Sequence, residues 1–205
     1  MERAADNSIK KTLINGMRAS LRRIVLPCIL GIGLQGVRSA DAQIAAAEYR
    51  VEAAFVFHFA QLVDWPSDAL SVPTESFNVC LFDDEPYRQE FQPTLEGKPI
   101  GRLTMHVRLL DRSQGAENCR ILFLSRNENR RQAELIRTLR GLPVLTIGDA
   151  DGFLTEGGMI RFQLERDKIR FDINLATAET SHLKISSRLL LLATSVHNNG
   201  TGGGR

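Results

Sequence analysis

Hydrophobic positions along the chain switch between two periods, and the switches mark an alternation of helices and strands. Glu48–Val63 carries apolar residues at helical spacing and is stopped by Trp65-Pro66, because the residue before a proline is pushed out of the helical region. Phe77–Asp83 is a short apolar strand, and Tyr87–Leu95 a helix that Pro93 shortens or kinks, with Gly97-Lys98-Pro99 as its exit. Leu103–Leu110 alternates as a strand, Cys119–Ser125 is apolar throughout, and Glu128–Arg140 is amphipathic with Gly141 closing it. Pro143–Gly148 reads as a buried strand, and Met159–Leu164 with Lys168–Ile173 as a hairpin across Glu165-Arg166-Asp167. Ala176–Ser181 and Ser187–Val196 read as helices, ahead of a Gly-rich tail over 198–205 expected to be disordered.

Strands that alternate with helices, several of them apolar on both faces, predict a mostly parallel sheet covered on both sides. The expected fold is therefore an α/β protein: a three-layer α/β/α sandwich with a C-terminal β-hairpin. One domain over 43–197 is expected, with no linker to divide it.

The first stretch follows a different pattern. Arg18, Arg22 and Arg23 precede the apolar run Ile24–Leu34, and Ser39-Ala40-Asp41-Ala42 offers small residues for cleavage. Basic, apolar and small-residue regions in that order predict a secretory signal over residues 1–42, with Met17 the expected true start. The apolar run falls short of the roughly 20 residues of a membrane span. An uncleaved anchor helix is the alternative. Val25-Leu26-Pro27 lacks the small residues that precede a lipidated cysteine at Cys28. Export would place the domain in the periplasm.

The signal also changes the charge argument. The whole chain is +2, whereas residues 43–205 hold 19 basic and 21 acidic residues. No basic patch of the kind that grips a phosphate backbone remains, so nucleic acid is not an expected partner. Of three cysteines, Cys80 and Cys119 stay in the mature chain, and an even pair in an oxidising compartment reads as a disulfide. Two buried free thiols are the alternative. Bridged Cα atoms lie about 4.4–6.8 Å apart, so the bridge makes the first and third strands close neighbours. That selects a flavodoxin-like order, 2-1-3-4.

Catalytic motifs fail on context. Gly31-Ile32-Gly33-Leu34-Gln35-Gly36 matches a dinucleotide fingerprint but lies inside the signal. Asp83-Asp84-Glu85 follows a strand as in phosphorylatable receiver domains, but Ser125 stands where that chemistry needs an aspartate. His58, His106, His182 and His197 have no metal-ligand spacing, and Asp149-Ala150-Asp151-Gly152 is a turn rather than a calcium loop. No enzyme activity, metal or cofactor is expected. What stands out is apolar excess on the first helix. Phe55 and Phe59 share a face while Phe57 points elsewhere, so the helix is either buried on two sides or covered by a partner.

Glu48–Phe59 with Trp65-Pro66, Arg140–Asp149, Gly157–Ile160, Arg170–Leu175 and Leu183–Leu189 resemble, in order, blocks of the YfiR family of periplasmic proteins. The resemblance implies a non-enzymatic inhibitor that binds the periplasmic sensor domain of an inner-membrane diguanylate cyclase and lowers cyclic-di-GMP output. It also implies sequestration by an outer-membrane OmpA-like lipoprotein, homodimerisation, and a similar α/β fold. Cys80 and Cys119 match a cysteine pair of that family, whereas a second pair found near Gly157-Gly158 in some members is missing here. The expected partner surface combines Phe57 and Trp65 with Lys184 and Arg188. The rival expectation is a periplasmic ligand-binding or sensory domain using a cleft at the C-terminal strand ends, around Asp83-Asp84 and Gly148-Asp149.

Overall fold

The computed structural model describes residues 40–66, 76–82, 85–126 and 129–198. The chain divides into two units, Met1–Ala40 and Asp41–Arg205, and the fold is that of the second. The expected signal up to Ser39, Met17, the Gly31–Gly36 motif, Asp83-Asp84 and the tail beyond Asn198 lie outside the described residues.

Helix α1 (Ala40–Leu62) begins earlier than its apolar pattern implies and ends before Trp65-Pro66. Its buried stripe is Ala53, Val56, Phe59 and Ala60, continued by Val63, with steps of three or four that keep one face inward. Phe55 and Phe59 share that face as expected. Both meet Phe162 and Phe171, with ring centroids 5.0 to 5.9 Å apart. The chain then forms a two-residue strand, β1 (Val63–Asp64), before the main sheet.

That sheet is assembled from β2 (Ser76–Phe82), β3 (Pro99–Ile100), β4 (Leu103–Leu110), β5 (Ile121–Leu124), β6 (Leu145–Gly148), β7 (Ile160–Glu165), β8 (Lys168–Asn174) and β10 (Ser195–His197). Helix α2 (Glu85–Leu95), which runs through Pro93, links β2 towards β4, and α3 (Asn129–Thr138) links β5 to β6. Short helices α4 (Leu175–Thr180) and α5 (Ser187–Leu192) follow β8, with β9 (Lys184–Ile185) between them pairing antiparallel to β1. The strand order is β10-β8-β7-β6-β5-β2-β4-β3.

Within it, β4-β2-β5-β6 reproduce the expected 2-1-3-4 order, all parallel. The bridge Cys80–Cys119 forms, with Cα atoms 5.9 Å apart. The sheet is not simply flavodoxin-like, however. β7 joins β6 in parallel and then turns back into β8 through Arg166-Asp167, both at positive φ, making an antiparallel hairpin inside the sheet. The helix expected over Ser187–Val196 ends at Leu192, and Ser195–His197 adds instead as an edge strand parallel to β8. A short segment that continues directly from a helix looks helical in isolation; the free edge of β8 captures its backbone.

Alternate residues of the central strands serve two cores. Val79, Leu81, Ile121 and Phe123 face α1 and α2 together with β7 and β8, while Cys80, Phe82, Leu122 and Leu124 meet Leu135 and Ile136 of α3 and Leu139 just after it. The second core contains no residue of β7 or β8. A complete third layer is therefore not established, which corrects the expected full sandwich. The β7–β8 hairpin accounts for this: around its turn the residues are charged and exposed, and Leu164 there is left open to solvent.

Candidate functional site

Because β2, β5 and β6 run parallel, their carboxyl ends share one edge of the sheet, where open α/β sheets usually bind ligands. Asp149 follows β6 there with its side chain only 3% exposed. The Tyr87 hydroxyl of α2 donates to Asp149 Oδ2 at 3.1 Å, and Arg126 Nε donates to the same oxygen at 2.9 Å. Asp149 Oδ1 is buried without a hydrogen-bond partner, as is Oε2 of Glu52 from α1.

Glu52 lies one helical step below Val56 and Phe59, on the buried stripe. Burial first, and then the negative Asp149, push its carboxyl up to about 8, while the Tyr87 hydroxyl and Arg126 pull the other way. Glu52 therefore enters the cluster protonated at neutral pH. Burial and the two carboxyl groups also push the Tyr87 phenol upward, so it remains a donor. The group can hold a proton between two carboxyls and present Arg126 to solvent. It holds no serine, cysteine or histidine nucleophile. A cavity of about 540 Å³ opens beside it, lined by Arg126, Asp149, Asp151, Arg161 and Gln163.

The turn that carries Asp149 is seated by one ring. Phe153 is fully buried between two glycines: a Cβ on Gly148 would come within 2.6 Å of it, and one on Gly158 within 2.2 Å. This close approach is the physical reason for Gly148 and Gly158, whereas Gly157 is needed for its positive φ of 103°. Asn174 ties the same loop to the sheet, donating to Leu154 O at 3.2 Å while accepting from Thr177 N to cap α4.

A second polar group lies on β8 and β10. Asp172 pairs with Arg161 at 3.1 Å and accepts from Ser195 Oγ at 2.7 Å, and Ser195 Oγ sits 3.1 Å from His197 Nε2. Serine, histidine and aspartate are all present, but serine stands between the other two. A nucleophilic triad needs the histidine in the middle to take the serine's proton and be oriented by the carboxylate. The arrangement instead fastens the edge strand. Among the described residues, no group of three or more His, Cys, Asp or Glu side chains is placed to hold a metal.

The four residues expected to form a partner surface fall into two places. Phe57 is half-buried against the main core, with Lys98 Nζ 4.5 Å above its ring. Trp65 is half-buried and edge-on to Phe77, 5.2 Å between centroids. The β1–β9 ladder pairs Asp64 with Lys184 and so brings Trp65 close to the C-terminal block in the chain. Ser186 caps α5, leaving Lys184 on a strand and Arg188 on the helix, so they do not share a helical face. Both are exposed, as are Leu191 at 86% and Leu192 at 63%.

Sequence reading missed Glu52, Tyr87 and Arg126. Glu52 carried a usable signal, since a carboxyl at a position of the apolar stripe must be partnered or protonated. Tyr87 and Arg126 carried none, because their convergence depends on the strand order.

Among the described residues no helix is long and apolar enough to cross a membrane. A search of curated proteins finds no match to the chain. A family model described as YfiR/HmsC-like matches residues 49–194, from the middle of α1 to the residue before β10. The chain therefore belongs to the YfiR/HmsC-like family, a regulatory family of the periplasm tied to diguanylate cyclase signalling.

Proposed function

We propose that the protein restrains an inner-membrane diguanylate cyclase by binding its periplasmic sensor domain better in the inactive than in the active state, shifting the population towards inactive enzyme. The observation that carries this reading is the family match over 49–194, nearly the whole described domain. The exposed Leu191 and Leu192, flanked by Arg188 and Lys184, support it as apolar anchors with a basic rim. Trp65, next to the β1–β9 ladder, adds to that surface, and Phe57 on α1 would serve as a separate anchor. On this reading the chain is exported by cleavage near Gln43, acts as a homodimer without turnover of its own, and is sequestered by an OmpA-like outer-membrane lipoprotein.

Deleting the gene is expected to raise cellular cyclic-di-GMP, and supplying the intact gene to lower it again. The double variant Leu191→Asp/Leu192→Asp should keep its melting temperature within a few degrees while losing restraint. Flat cyclic-di-GMP in a strain that demonstrably expresses the protein would refute inhibition.

A second reading is favoured by the buried unpartnered Asp149 Oδ1 beside the 540 Å³ cavity. There the strand-end cleft would sense a small charged ligand. Asp149→Asn would then abolish the response to that ligand without changing basal restraint.

A further inference from the structure

The opposite edge of the sheet carries a second, chemically different cavity. It measures about 410 Å³, within the ordinary range of small-molecule pockets, and its walls include Val63, Trp65, Phe77, Ile100 and Leu103. Arg120 also lines it. This residue immediately precedes β5, and its backbone is held on both sides: its N–H donates to Asn78 O at 2.9 Å and its carbonyl accepts from Leu145 N at 2.9 Å. These two bonds fix the point on the sheet from which its side chain enters the cavity.

Arg120 is only 8% exposed, yet among the described residues no hydrogen bond or ion pair engages its guanidinium. Burial alone lowers its affinity for the proton, with no carboxylate to offset it. A buried guanidinium is costly unless paired. A second donor in the same cavity is also unused: Trp65 Nε1 is buried without an acceptor. An orphaned indole N–H and a guanidinium open to the cavity, with no carboxylate paired to it among the described residues, together suit an acceptor that enters there.

We propose that this cavity binds a small monocarboxylate with an apolar body, its carboxylate held by Arg120 and Trp65 Nε1 and its body against Val63, Phe77, Ile100 and Leu103. A planar carboxylate matches the guanidinium fork in a bidentate pair, and its spare lone pair suits the indole N–H. One negative charge is the right number. A single guanidinium compensates one charge, and exposed Asp64 at the rim repels a second. Phosphate dianions and polyanions are thus disfavoured, and a neutral amide offers one acceptor oxygen in place of two and no charge to compensate the guanidinium. The site is separate from the Glu52–Asp149 cluster, which lies beyond the other ends of the same strands, and it does not depend on the cyclase reading.

Trp65 is the single tryptophan of the chain, so intrinsic fluorescence reports from this cavity alone. The experiment titrates the full chain with octanoate, octanamide and octyl phosphate, followed by Trp65 fluorescence and by calorimetry. Octanoate is expected to bind saturably with one site per chain, with octanamide and octyl phosphate at least tenfold weaker. Arg120→Gln should weaken octanoate tenfold or more, and Arg120→Lys less. Should Arg120→Gln fail to fold, Trp65→Phe, read by calorimetry, removes one donor and keeps an aromatic ring; a several-fold loss for octanoate and a smaller loss for octanamide is expected. Absence of saturable octanoate binding, equal affinity for octanamide, tighter binding of octyl phosphate, or unchanged octanoate affinity in both variants would each overturn the assignment.

Discussion

A carboxyl group on the buried stripe of a helix either finds a cation or keeps its proton. Glu52 keeps its proton, because Arg126 is spent on Asp149 and the negative Asp149 adds to the effect of burial. The folded state then holds a proton that the unfolded chain releases near 4.5 and the native protein only near 8. Between those values the native state binds more protons than the unfolded state, so this contribution is complete below about pH 4.5, declines as pH rises, and is gone above about 8. Glu52→Gln, which mimics the protonated form, should flatten that part of the stability–pH curve and raise the melting temperature at pH 9 relative to the parent. Denaturant melts from pH 5 to 9 check this; an unchanged slope would place the bound proton elsewhere. Arg120 shows the complementary case, a largely buried cation with no partner among the described residues.

Individual elements divide their residues between packing and exposure in ways that composition hides. Helix α1 carries three phenylalanines within five residues, but they are not equivalent. Phe59 is fully buried among Phe55, Phe162 and Phe171, whereas Phe57 is half-buried under Lys98. Phe59→Ala should cost about 3–5 kcal/mol, as truncation of a buried aromatic does. Phe57→Ser should cost clearly less, on the order of 1–2 kcal/mol, since it forfeits partial burial and one cation–π contact. Chemical denaturation of both variants compares them directly. Equal losses would mean that Phe57 belongs wholly to the core and would remove it from the proposed partner surface.

Across the whole molecule the Cys80–Cys119 bridge ties the start of β5 to the middle of β2, the pair at the centre of the sheet. It spans a sequence separation of 39 residues, for which loop-closure entropy gives up to about 4 kcal/mol. Replacing both cysteines by serine should lower stability by about 2–4 kcal/mol while the domain still folds, since the two cores are large enough without the bridge. Thiol labelling of unfolded, unreduced protein should find almost no reactive cysteine. Two reactive thiols per chain, or a double variant as stable as the parent, would contradict this account.

Much of this architecture was legible in the sequence because it rests on local rules. Apolar runs bounded by Gly and Pro marked β2, β4, β5 and β6, Trp65-Pro66 ended the first helix, and two cysteines linked by covalent geometry implied that β2 and β5 are neighbours. Long-range events were not legible. Ser195–His197 became a strand only because β8 left an edge free, and the second face of the sheet lost part of its cover because the β7–β8 hairpin entered the sheet. The same holds for both cavities. Glu52, Tyr87 and Asp149 meet across 97 residues of chain, and Arg120 faces Trp65 across 55. Charge, burial and hydrogen-bond vacancy belong to groups of residues brought together by strand order, so periodicity places each residue on an element but only the tertiary structure decides what it meets.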